Sequence, residues 1–451
     1  MKHQSDILIR NIEIFTQDSA RKILQNKDIA IKNGKIIAIG NLSKENWTST
    51  TVIDGTGKTI FPGMQNLHVH IFQSILKGLG ADLNLIDWVK AAPMKGGPLI
   101  NGKIYSLACQ LAFMESLKCG VTTIADFNYL QHCPDIPYTS ISMAEQFGIR
   151  EIYMDVFHDT GMNMGVCPEF IYPPKECIRH TAKLIKEYKN DQHPLIQVWP
   201  GASVPWGTSR MLFQEMSDFS KSISSPWTMH ILETEEDNIY SNKEFKKSII
   251  EAMEEMEVLS DRLLAVHCVC LKEGEMKKFE KYGVNTVYCP AANAYLGSGI
   301  APISLMKRAH INITMGTDGA ASNNSSDMIE SMKLGLLLQK AEQKDPTALK
   351  AQDMLDFVTV NAARATKRND LGSIEIGKTA DLFIYNPLFV RSTPNYNSMV
   401  TLMYNSSPEN VETTIVNGRI VYHKGNFACG LEEDKVVMEI NSAMKKFMKE
   451  M

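Results

Sequence analysis

Met64-Gln-Asn-Leu-His-Val-His70 reads as a short buried strand that closes on two histidines. Residues two apart on a strand point to the same side, so His68 and His70 can reach one metal ion together. Seven more apolar runs of this kind follow, at residues 121–127, 149–157, 195–202, 227–232, 263–268, 285–289 and 311–317. Between them lie segments with helical periodicity, such as 111–118, 181–189, 245–256 and 276–281. Eight alternating units predict an α/β fold, a (β/α)8 TIM-like barrel with a parallel sheet.

Outside this stretch the pattern changes. Residues 7–15, 28–39 and 52–53 look like short antiparallel strands, with turns at Asn33-Gly34 and Gly55-Thr-Gly57. A similar set returns at 381–385 and 411–423, with a turn at Asn417-Gly418. The reading is a small discontinuous β-sandwich made by both chain ends, 1–60 and 368–428, around a barrel at 61–367. Residues 429–451 read as an amphipathic helix with Val436, Val437, Ile440, Met444 and Phe447 on its apolar face, docked on the body or on a neighbouring subunit.

Composition narrows the partners. Across 451 residues, 47 Lys+Arg nearly balance 51 Asp+Glu, for a net charge of −4, which gives no footprint for nucleic acid or a membrane surface. No apolar run approaches the roughly 18 residues of a membrane span, and the first residues show no signal-peptide pattern. A cytoplasmic protein acting on a small molecule is expected, as a homodimer. Nine scattered cysteines fit reduced thiols, and Cys268-Val-Cys270 reads as packing within a strand rather than a thiolate metal pair.

The chemistry gathers at strand ends. His230 closes the fifth run, His267 the sixth, and Asp318 the eighth, in Met315-Gly-Thr-Asp-Gly319. A barrel brings all strand C-termini to one mouth, so these residues become neighbours of His68 and His70. Taken singly, Asp318 could cap a helix and Glu233 could open one with Glu235, Glu236 and Asp237. Taken together, imidazole and carboxylate ligands indicate Zn²⁺ first, with Fe²⁺ left open because ligand type does not separate them. Glu233, at the turn after His230, suits a proton shuttle beside metal-activated water. His3, His132, His158, His180, His193, His310 and His423 fall in no such pattern and read as surface or satisfied polar residues.

These residues are similar, in order, to the amidohydrolase superfamily, in the branch that holds chlorohydrolases, triazine hydrolases and aminohydrolases of N-heterocycles. The resemblance rests on Phe61-Pro-Gly63, His68-x-His70, Gly120-Val-Thr-Thr123, His230-x-x-Glu233-Thr, Val266-His267-Cys, Leu296-Gly-Ser-Gly299, Gly316-Thr-Asp-Gly-Ala-Ala-Ser-Asn-Asn324 and Gly372-Ser-x-x-x-Gly-Lys-x-Ala-Asp381. It implies one divalent metal per chain held by His68, His70, His230 and Asp318, with His267, Asp318 and Glu233 catalytic. Where two-metal relatives carry a lysine, this chain reads Trp199-Pro-Gly-Ala-Ser203, which favours one metal. The implied reaction is hydrolytic substitution at a ring carbon by metal-bound hydroxide, with release of ammonia.

For the substrate, Gln73 and Trp88 resemble the pocket glutamine and tryptophan of this branch, and Trp206 is a further candidate contact. Relatives acting on methylthioadenosine and S-adenosylhomocysteine show Trp-Pro-x-Glu and His-Ala-Pro-Tyr-Thr where this chain has Ala92-Pro-Met-Lys95 and Ala202-Ser-Val-Pro-Trp206. The resemblance therefore points first to an oxo-purine, pterin or triazine-like ring. An adenosine-type deaminase and a chlorohydrolase are the alternatives. A non-catalytic binding protein would be expected to have lost ligands, and a two-metal cyclic-amide hydrolase would need the lysine.

Overall fold

The computed structural model describes residues 3–42, 46–189 and 191–451. Residues 1, 2 and 43–45 of the expected β domain, and residue 190, lie outside the described residues.

The chain opens with strands β1 (His3–Phe15), β2 (Ile23–Lys32), β3 (Lys35–Gly40), β4 (Trp47–Asp54) and β5 (Thr59–Pro62). The barrel strands follow: β6 (Met64–Val69), β7 (Val121–Asn128), β8 (Arg150–Phe157), β9 (Ile196–Ala202), β10 (Trp227–Ile231), β11 (Leu263–His267), β12 (Asn285–Tyr288) and β13 (Asn312–Met315). All seven neighbouring pairs from β6 to β13 are parallel. These strands are buried almost throughout, which is why they read as continuous apolar runs rather than alternating ones. The eight runs of the sequence reading match the eight strands within two residues at each end.

The seam between β13 and β6 is closed differently. The Asn66 amide donates to Thr317 Oγ1 at 2.8 Å and its carbonyl accepts from the Thr317 N–H at 3.1 Å. Beyond it, the Asp318 N–H donates to the His68 carbonyl at 2.9 Å. Gly316 permits this approach, since a Cβ there would lie 2.7 Å from the His68 carbonyl oxygen.

The chain returns through β14 (Leu382–Tyr385), β15 (Val411–Val416), β16 (Arg419–His423) and β17 (Asn426–Phe427). Hydrogen bonding joins both chain ends into one nine-stranded sheet, ordered β17-β16-β15-β14-β5-β1-β2-β3, with β4 beside β1. The β4 pairing is parallel, not antiparallel as the sequence reading had it. Strand alternation gives this sheet two different faces. Ile12, Ile14, Ile60, Leu382 and Ile384 join an isoleucine-rich core of the small domain. Their neighbours Phe15, Phe61, Phe383 and Tyr385 belong to the barrel's core, with Phe61 stacked on Phe15 at 4.8 Å and on Phe383 at 5.3 Å.

Other expectations shift in detail. The segment 245–256 is not one helix, for a left-handed Lys246 ends helix Glu236–Phe245 before Glu251 and Ser248 cap helix Ile249–Glu255. Cys268, with φ +53°, has left the strand, so Cys268 and Cys270 lie in a turn and share no strand face. The last helix, Glu433–Glu450, docks on the body through Val436, Ile440 and Phe447, while Val437 is exposed.

One buried ion pair ties the barrel to the small sheet. Arg150, at the start of β8, makes a two-pronged contact with Asp381 at 3.0 and 3.1 Å, and both are nearly buried. Asp381 also accepts from the Asn417 N–H at 2.7 Å, and Arg150 donates to the Pro194 carbonyl at 2.8 Å. Removing one partner of such a pair strands a buried charge. Asp381→Ala should therefore destabilise the protein by about 3–5 kcal/mol, read as a lower urea midpoint.

Candidate active site

Four side chains from the mouth of the barrel converge on one point. His68 is the penultimate residue of β6, His70 follows that strand, His230 lies in β10 and Asp318 follows β13, and all four are buried. The Nε2 atoms of His68 and His230 are 3.3 Å apart, and each of His68 and His70 places Nε2 3.4 Å from Asp318 Oδ1. Two ligand atoms, each about 2.0–2.1 Å from a tetrahedral centre, stand about 3.3–3.4 Å apart, so this donor set fits a zinc-sized cation.

The protonation of the rings agrees. His70 Nδ1 lies 2.7 Å from the Phe127 carbonyl and His230 Nδ1 lies 2.9 Å from the Ser203 carbonyl. A carbonyl only accepts, so Nδ1 carries the proton and Nε2 turns its lone pair to the site. Burial pushes His70 down to about 4 and His230 well below its ordinary range, with the charge of His68 adding to both. Burial alone would raise Asp318, but the hydrogen bond from His68 and the neighbouring imidazoles hold it well below the usual carboxylate range.

Three groups stand beside this cluster. His267, at the end of β11, places Nε2 3.4 Å from Glu233 Oε2 and 4.0 Å from Asp318 Oδ2. Its Nδ1 is 3.0 Å from the Asn293 amide, and burial drives its pKa to about 3. Burial and the charge of Asp318 raise Glu233 well above the usual carboxyl range, which favours its protonated form. Ser298 donates to Glu233 Oε1 at 3.3 Å. Asp237 accepts from the Leu232 N–H at 2.6 Å, which fixes the turn between His230 and Glu233. Leu232, His267 and Asp318 all adopt left-handed φ values, of +53°, +75° and +65°. Such strain in non-glycine residues gathers where a side chain must be aimed.

A pocket opens from the cluster. Trp88, Trp206, Leu85, Val89, Met94 and Leu296 form its apolar wall, and Gln73, Tyr129, His158 and Ser203 supply its neutral polar groups. Gln73, Trp88 and Trp206 thus line the pocket as expected. Trp88 also donates to the Ala321 carbonyl at 3.1 Å, and Gln73 Oε1 has no hydrogen-bond partner among the described residues. Met94 and Val204 line the stretches where nucleoside-acting relatives carry a glutamate and a histidine. His158 corrects the sequence reading, because it is neither exposed nor satisfied: it is 1% exposed and faces the same pocket. Tyr129 was likewise not foreseen. Both follow a barrel strand directly, which is the signal that could have found them.

Fold and site together define a (β/α)8-barrel hydrolase with a candidate His/Asp metal site. Residues 59–421 match the amidohydrolase family, and the chain belongs to it. The chain is a hydrolytic deaminase that acts on a carbon–nitrogen bond. The chain is 30% identical over 438 residues to a 5'-deoxyadenosine deaminase of Methanothermobacter thermautotrophicus, covering 97% of each. It is 28% identical over 443 residues to a 5-methylthioadenosine/S-adenosylhomocysteine deaminase of Caldicellulosiruptor saccharolyticus, covering 98% of each. An adenosine deaminase of Xanthomonas campestris with bound zinc superposes with a TM-score of 0.91 at 23% identity, over the whole of both chains. Among the described residues no helix is long and apolar enough to cross a membrane.

His70→Ala and His230→Ala should each weaken metal binding by more than about 10-fold, since losing even an outer partner of a ligand costs about 10–100-fold. Metal analysis of the purified variants checks this, with an unchanged far-UV spectrum as the control.

Proposed function

We propose that the chain deaminates adenosine-type compounds, replacing the exocyclic amine of a 6-aminopurine by oxygen and releasing ammonia. The pairing of a protonated Glu233 with His267 and Asp318 at the ligand cluster carries the reaction class. The relatives named above support the substrate class, in preference to the oxo-purine, pterin or triazine-like ring favoured by the missing ribose glutamate.

The residues that would hold the metal are His68, His70, His230 and Asp318, with Zn²⁺ the ion of choice given the tetrahedral spacing and the zinc in the Xanthomonas structure. When bound, the ion polarises water and lowers its pKa toward neutrality. Asp318 is ionised and takes the proton lost by the attacking water, with the neutral His267 ring aligned beside it. Glu233 donates its proton to the ring nitrogen next to the amine-bearing carbon, which makes that carbon more electrophilic. Glu233, now a carboxylate, takes the remaining hydroxyl proton, and the proton held by Asp318 converts the amine into a leaving ammonia. Trp88 and Trp206 hold the flat ring between apolar surfaces, and Gln73 offers its free carbonyl to a ring edge.

A free heterocycle is the second reading, favoured by one observation: apart from Glu233 and Asp318, no carboxylate lines the pocket. An ammonia-release panel of 5'-deoxyadenosine, 5'-methylthioadenosine, S-adenosylhomocysteine, adenosine, adenine, guanine, a pterin and an aminotriazine separates the two. Adenosine derivatives should have the highest kcat/KM, and turnover confined to free bases or triazines would refute the proposal. Glu233→Gln should keep its metal and lose about 10²–10⁴-fold in kcat, a loss that near-normal turnover would contradict.

A further inference from the structure

His158 is the one histidine of the pocket that the mechanism leaves unused. It stands one ring away from the metal cluster: Tyr129 meets His70 edge-on at 5.4 Å on one side and His158 at 5.6 Å on the other. Its ring is buried and Nδ1 has no hydrogen-bond partner among the described residues. No neighbouring charge or hydrogen bond offsets burial, which drives its pKa to about 3, so the ring is neutral. Buried polar groups are nearly always paired, and His158 belongs to the pocket lining, where a ligand could supply the missing partner.

The surroundings hold this ring still. Gly207 lies flat against it, so close that a Cβ at 207 would meet His158 Cδ2 at 2.7 Å. The His158 carbonyl accepts from the Tyr172 N–H at 2.9 Å, and the next residue, Asp159, donates its N–H to the Gly207 carbonyl at 3.2 Å. Asp159 also accepts from the Ser209 N–H at 2.7 Å, which locks the loop after β8 to the loop after β9. The ring is therefore positioned before any ligand arrives. No lysine or arginine lines the pocket among the described residues, so this end of it suits an uncharged group.

We propose that His158 is a substrate-binding residue whose imidazole hydrogen-bonds a sugar hydroxyl of a neutral nucleoside, at the end of the pocket away from the metal ligands. This rests on the adenosine-type reading above. It makes an uncharged nucleoside a better substrate than a 5'-phosphorylated one.

The test compares unmodified protein with His158→Phe and His158→Asn on adenosine, 2'-deoxyadenosine, 3'-deoxyadenosine and adenosine 5'-monophosphate. In the unmodified protein, removal of the bonded hydroxyl should raise KM about 10- to 100-fold with kcat little changed, and the monophosphate should be the poorest substrate. His158→Phe should raise KM for adenosine by a similar factor and show no further loss on the deoxynucleoside, while His158→Asn should recover part of the affinity. Thermal unfolding of each variant, and metal content equal to that of the unmodified protein, exclude a general defect. The proposal is overturned if His158→Phe leaves KM for adenosine unchanged, or if it loses as much again on the deoxynucleoside. It is also overturned if His158→Phe and His158→Asn both lower kcat on every substrate without a change in KM. If the unmodified protein turns over free bases and no nucleoside, the adenosine-type reading itself falls, and the sugar contact with it. If nucleosides are turned over and His158→Phe is indifferent, only the His158 assignment fails.

Discussion

The site exists because β13 comes back against β6. The seven parallel pairs could assemble without that contact, but His68 and Asp318 would then sit at opposite edges of an open sheet. Closure is made by the Asn66 side chain on Thr317 and by the His68 carbonyl on the Asp318 N–H, and it requires the bare Cα of Gly316. The hydrogen bond that shuts the barrel is thus made by the backbone of two metal-ligand candidates. Barrel integrity and donor geometry are one constraint.

Burial then sorts the protons. The same dry environment lowers the imidazoles and raises the Glu233 carboxyl, so burial pushes neighbouring groups a few ångströms apart in opposite directions. Asp318 escapes the rise because imidazoles surround it. This division of labour among three buried groups needs no exotic residue, only different neighbours.

Much of this was legible in the chain itself. Continuous apolar runs marked the barrel strands because a parallel sheet is covered on both faces, and histidines at their ends marked the mouth. The cluster of His68, His70, His230, His267 and Asp318 was legible for that reason, while the choice of four of them as metal ligands came from the family resemblance. The parallel pairing of β4 was not, since strand direction depends on a partner distant in the chain. Lys246 could not be foreseen as a helix end, because the left-handed residue there is neither Gly nor Asn. His158 and Tyr129 were hidden by a different cause: pocket walls are made by loops whose side chains show no periodicity, and the close approach of Gly207 to the His158 ring is made by a residue distant in the chain.

The two-faced sheet has a consequence for how the chain is made. β5 pairs with β14 in antiparallel register, Pro62 against Leu382 and Thr59 against Tyr385. During synthesis the first strands emerge long before β14, so the edge of β5 stays open while the entire barrel is produced. Phe15 and Phe61, which cover the barrel's underside, lack Phe383 and Tyr385 until then. The last strands therefore act as a clasp, and a ribosome that stalls late leaves a barrel with an unpaired strand edge and bare aromatic rings, the surface on which chains aggregate.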